Sequence, residues 1–101
     1  MALRRAGHQV TIANDGENAL RSIREALPDV VVSDIRMPGI EGHELASTLK
    51  SDPVTAHIPV LLISGHGHAD KSCCDAFLAK PFLIPEFLAI VERLAKGIRR
   101  S

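Results

Sequence analysis

The chain has 101 residues, 46% of them hydrophobic, which suits one domain over residues 1–101 with a single core. Its 12 basic and 12 acidic side chains cancel, so charge gives no ground for binding nucleic acid or an anionic membrane. No apolar run approaches the roughly 18 residues of a membrane span, and the opening Met1-Ala2-Leu3-Arg4-Arg5 lacks the apolar stretch of a signal peptide, so a cytoplasmic location is expected.

In chain order, Leu3-Arg4-Arg5-Ala6-Gly7 reads as the last turn of a helix, with cations near its end and glycine just beyond. Val10, Ile12 and Ala13 form a short strand, and Asn14-Asp15-Gly16 a turn in which Asp15 caps the next helix. That helix is expected over about residues 16–27, with Ala19, Leu20, Ile23 and Leu27 on its apolar side and Glu17, Arg21, Arg24 and Glu25 facing water. Val30-Val31-Val32 is an unbroken β-branched run without polar alternation, the pattern of a strand covered on both faces. It ends at Asp34, before the turn at Pro38-Gly39.

A second helix follows over about residues 41–50, burying Leu45 and Leu49, and Ser51-Asp52-Pro53 ends it. Val60-Leu61-Leu62-Ile63 is another buried strand, ending at Ser64-Gly65, and Ala76-Phe77-Leu78-Ala79 a shorter one, ending at Lys80-Pro81. The last helix, about residues 85–98, carries the stripe Phe87, Leu88, Val91, Leu94, Ala95 and Ile98. Strands alternating with helices predict an α/β fold, a doubly wound parallel sheet.

In such a sheet the ligand crevice lies beyond the carboxyl ends of the strands, where Asp34, Ser64 and Lys80 all fall. A lone aspartate there can merely cap a turn, but the three form a chemical set. A carboxylate that attacks a phosphoryl group needs the product's charge offset, which an ammonium does, while a hydroxyl donates to another phosphoryl oxygen.

These motifs, Asp34-Ile-Arg-Met-Pro-Gly, Pro59-Val-Leu-Leu-Ile-Ser64 and Phe77-Leu-Ala-Lys80-Pro-Phe, resemble the receiver domain of two-component response regulators, over nearly the whole chain. The resemblance implies a flavodoxin- or CheY-like sheet and a regulatory module rather than an enzyme. It makes Asp34 the phosphoacceptor for a histidine kinase or phosphotransfer protein, Ser64 the switch hydroxyl, Lys80 the phosphate-binding lysine and Phe77 the aromatic switch residue. Phe77 fits core packing equally well. The family's Mg²⁺ would rest here on Asp34 and the backbone carbonyl of Arg36, an incomplete and weak site, because the acidic pair that ends the family's first strand has no counterpart. Glu41 and Asp15 are the nearest other acids, and sequence alone puts neither at the site.

The first strand and most of the first helix of the family are lacking, and the sequence reads as an N-terminally truncated receiver. In the family's strand order 2-1-3-4-5 the missing strand is central, and unburying about five apolar side chains would cost on the order of 10 kcal/mol, as much as a domain's net stability. Val10-Thr11-Ile12 and Val30-Val31-Val32 would lose their common neighbour, so either the sheet closes differently or another chain covers the gap; a homo-oligomer is the expectation. The interval from Ser64 to Lys80 is also short, leaving a turn or two for the family's fourth helix.

Other constellations are weaker. His66, His68, Cys73 and Cys74 have zinc-compatible chemistry, but adjacent cysteines ligate one tetrahedral ion badly and form only a strained mutual disulfide. Gly65 to Ser72 imitates a phosphate loop, with Asp70 where the second glycine belongs. Two functional readings remain: a phosphorylatable receiver, and a degenerate receiver that serves as a phosphorylation-independent interaction or dimerisation module.

Overall fold

A computed structural model describes residues 2–5, 8–36, 40–65 and 74–97 of the chain. Five strands, β1 (Ala2–Arg5), β2 (His8–Ala13), β3 (Val30–Asp34), β4 (Val60–Ser64) and β5 (Ala76–Ala79), form one sheet in the order of the sequence. The helices are α1 (Gly16–Glu25), α2 (Gly42–Ser51) and α3 (Ile84–Gly97). β2 to β5 run parallel, and β1 pairs antiparallel with β2 at one edge.

The sheet is covered on both faces, as the apolar runs require. Alternate residues of each strand go to opposite sides. Ala13, Val31, Val60 and Leu62 pack with Ala19 and Ile23 of α1 and with Leu45, Ala46 and Leu49 of α2. Val10, Val30, Val32, Leu61, Ile63 and Leu78 meet Val91 and Ala95 of α3 on the other face. The doubly wound arrangement thus follows from runs such as Val30-Val31-Val32, buried throughout.

Three expectations need correction. Ala2–Arg5, expected in a helix end, is strand β1, its residues in register from Ala2 opposite Thr11 to Arg5 opposite His8. The outer edge of β2 offers unpaired backbone groups, and this pairing satisfies them. The first helix stops at Glu25; Leu27 lies beyond it, 45% exposed, and is not part of the buried stripe of the helix. Ala26, with extended backbone angles, ends the helix before Leu27 can join its stripe.

The third correction concerns the central gap. β2 pairs directly with β3, Val10 opposite Val30 and Ala13 opposite Ser33, so neither strand is left without a neighbour. Asp29 fixes this junction: its Oδ2 accepts from Gln9 N at 2.8 Å, and its own N–H donates to Gln9 O at 2.7 Å. The sheet closes the central gap, so the unpaired inner strands from which an oligomer was expected are not found among the described residues.

The remaining elements match their sequence signals. Asp15 caps α1, its Oδ1 accepting from Glu17 N and Asn18 N, each at 3.1 Å. Glu17, Arg21, Arg24 and Glu25 are exposed. At the other end of the sheet Asp75 plays the part that Asp29 plays for β2: its Oδ2 accepts from Val60 N at 2.8 Å and lies 2.8 Å from Lys50 Nζ. The shortened fourth-helix interval, His66, His68, Cys73, the imitation phosphate loop beyond Gly65, and Ile98 lie outside the described residues.

Candidate functional site

The carboxyl ends of β3, β4 and β5 open into a cleft of about 490 Å³ lined by Asp34, Ile35, Arg36, Glu41, Ile63, Ser64, Gly65 and Lys80. Parallel strands deliver these residues because side-by-side pairing aligns their ends: Asp34 lies opposite Ile63, and Ser64 opposite Ala79. Lys80 follows β5 directly, its N–H donating to Ser64 O at 2.8 Å. From there its Nζ reaches across the end of β4 to 2.9 Å from Asp34 Oδ1. Both side chains are open to solvent, at 43% for Asp34 and 47% for Lys80, so the pair is accessible to a reactant and adds little to stability. Ser64 is 6% exposed at the cleft floor.

Asp34, Ser64 and Lys80 are therefore together, with Arg36 exposed beside them. Phe77 is not in the cleft. It lies opposite Leu62, half-buried against the core beneath α1 and α2, where its ring fills space. Cys74 packs against the same core.

Glu41, one of the two acids that sequence alone left without a place, lines the cleft. The signal lay in Gly42, whose N–H donates to Ile35 O at 2.8 Å. A Cβ on residue 42 would stand 2.4 Å from Asp34 O, so only glycine lets the loop after Asp34 return onto its own strand end. Asp15, the other acid in question, lines a separate small hollow with Thr11, Asn18 and Ser22.

Among the described residues no three His, Cys, Asp or Glu side chains come together. A cation in the cleft would draw on two carboxylates, main-chain oxygen and water. These are hard oxygen donors, which suit Mg²⁺ and not a thiolate- or imidazole-bound metal. No helix among the described residues is long and apolar enough to cross a membrane.

Known proteins share this sequence pattern and fold. Over 80 residues the chain is 40% identical to the response regulator PleD of Caulobacter vibrioides, an alignment that takes in 73% of this chain and 18% of PleD. The chain thus spans less than a fifth of that relative's length. The crystal structure of the signal receiver domain of a signal transduction histidine kinase from Syntrophus aciditrophicus superposes with a TM-score of 0.78 at 30% identity, covering 88% of this chain and 72% of that one. The receiver domain of the sensor histidine kinase PA1611 from Pseudomonas aeruginosa, solved with magnesium in its active-site cleft, shares the fold with a TM-score of 0.74 at 23% identity, over 85% of this chain and 75% of that one. The family model described as the response regulator receiver domain matches residues 1–92, and the chain belongs to that family.

Proposed function

We propose that the chain is a phosphorylatable receiver that takes a phosphoryl group on Asp34 from a histidine kinase or a phosphotransfer protein. The Asp34–Lys80 pair carries this reading. An accessible carboxylate oxygen with an ammonium 2.9 Å away is a nucleophile whose product is already provided with a counter-charge.

In the step, a carboxylate oxygen of Asp34 attacks the phosphorus of a phosphohistidine. The P–N bond breaks as the P–O bond forms, and the imidazole leaves with the electron pair and takes up a proton. Lys80 offsets the charge on the phosphoryl oxygens, and the Ser64 hydroxyl at the floor of the cleft donates to one of them. Phe77 would respond by repacking within the core it already occupies, biasing a two-state surface.

Receiver domains generally bind Mg²⁺ in the active site, where the ion supplies positive charge to the phosphoryl group. Here Asp34 and the backbone carbonyl of Arg36 would hold it.

Acetyl phosphate with Mg²⁺, read by intact-mass spectrometry on the wild type and Asp34→Asn, tests the reading. One phosphoryl adduct on the wild type and none on the variant is expected. An adduct that persists in Asp34→Asn overturns the assignment of the acceptor, and labelling of neither protein favours the phosphorylation-independent interaction module.

A further inference from the structure

Asp34 is the carboxylate that the motif offers to a cation, and the fold brings another acid to the same cleft. Asp34 at the end of β3 and Glu41 before α2 line the same cleft. Gly42 brings the second acid there. Its N–H is bonded to Ile35 O, and its missing side chain lets α2 begin against the backbone of Asp34 and Ile35, closer than a Cβ would allow. The residue before Gly42 is then held beside the strand end that carries Asp34.

The two acids near the cleft in sequence are used differently. Asp15 is committed as the cap of α1 and lines another hollow. Glu41 stands at the same position relative to α2, yet its side chain makes no cap hydrogen bond. Its carboxylate is therefore not spent on capping α2, and the residue lines the cleft.

The geometry points to Glu41 as a carboxylate ligand, beside Asp34, of a divalent cation in this cleft. With Asp34 and the Arg36 carbonyl it makes an all-oxygen set whose two negative charges match Mg²⁺ or Mn²⁺. Lys80 Nζ lies 2.9 Å from Oδ1 of Asp34, so Oδ2 would be the oxygen offered to a cation. Three protein oxygens leave the other octahedral positions to water and to an incoming phosphoryl oxygen. This deepens the reading of Asp34 as phosphoacceptor, although cation binding is measurable without any phosphoryl transfer.

The probe is Mn²⁺, titrated into the full 101-residue chain and read as paramagnetic broadening of backbone amide signals, with Mg²⁺ as the competitor. Broadening centred on residues 34–36 and 41–42 is expected, relieved by Mg²⁺, with Glu41→Gln weakening binding roughly tenfold through loss of one ligand charge. Glu44→Gln is the control, since Glu44 is exposed in the first turn of α2 and does not line the cleft; its affinity should match the wild type. The inference is overturned if the wild type shows no localised broadening, if Glu41→Gln binds like the wild type, or if Glu44→Gln loses as much as Glu41→Gln. Failure of Asp34 to label with acetyl phosphate while Glu41→Gln still loses Mn²⁺ would sink the phosphoacceptor reading and leave the cation site standing.

Discussion

Asp34 ends β3 and Lys80 follows β5, two strands that do not touch: β4 runs between them, and the two side chains meet over its end with Nζ 2.9 Å from Oδ1. The contact depends on three strands ending level with one another. A shift of any one by two residues, about 6–7 Å along a strand, would part the pair.

Lys80→Ala should slow phosphorylation of Asp34 by roughly 10- to 100-fold, the worth of a lost charge-assisted hydrogen bond of about 1.5–3 kcal/mol. Because both partners are open to solvent, urea unfolding should move by less than about 1 kcal/mol. Loss of the folded circular-dichroism spectrum in Lys80→Ala would mean that the lysine is structural.

Gly42→Ala places a methyl group where 2.4 Å separates it from Asp34 O and 2.9 Å from Ile35 Cα. Both neighbours are backbone, so the loop has to move. We expect a destabilisation of about 1–3 kcal/mol in urea together with slower labelling of Asp34. A variant with unchanged midpoint and labelling rate would show that the loop yields freely, against the close approach described above.

Asp75→Ala removes the acceptor of Val60 N–H, a group on a fully buried residue, and should cost about 1–3 kcal/mol. Asp75→Asn keeps an acceptor oxygen and gives up only the exposed ion pair with Lys50, so most of the stability should return. Equal losses in the two variants would place the effect in the charge and not in the hydrogen bond.

Leu61→Ala empties a completely buried site between β4 and α3, for an expected loss of about 2–5 kcal/mol, a large part of the stability of a small domain. Chemical denaturation read by circular dichroism suits this chain, which has neither tryptophan nor tyrosine. A change below about 1 kcal/mol would mean that the face under α3 is loosely packed.

The direct pairing of β2 with β3 predicts a monomer at low micromolar concentration, measured by light scattering after gel filtration across a dilution series. A dimer that persists on dilution would mean that something other than an open central gap joins the copies, for which the exposed Leu83 and Ile84 at the start of α3 are the first residues to substitute.

By itself the sequence determined the four parallel strands, the three helices to within a few residues and the side chains at the strand ends. Val30-Val31-Val32 and Val60-Leu61-Leu62-Ile63 have no polar alternation, and only a sheet covered on both faces buries them completely. The motif around Asp34 marked the acceptor that we propose, and the two later strand ends marked its proposed partners. Local capping was equally legible, since Asp15 meets the amides of Glu17 and Asn18 within one turn.

What only the tertiary structure decided are the pairings between segments distant in the chain. Leu3-Arg4-Arg5 has the cations and nearby glycine of a helix end, yet the free edge of β2 holds Ala2–Arg5 as a strand, because backbone groups at that edge need partners whatever the local propensity. The junction of β2 with β3 was invisible for the same reason: it rests on register and on the Gln9–Asp29 contacts across 20 residues. Glu41, named in the sequence but given no place by it, reaches the cleft because a glycine allows two backbones to approach, a condition set by three-dimensional distance and not by residue type.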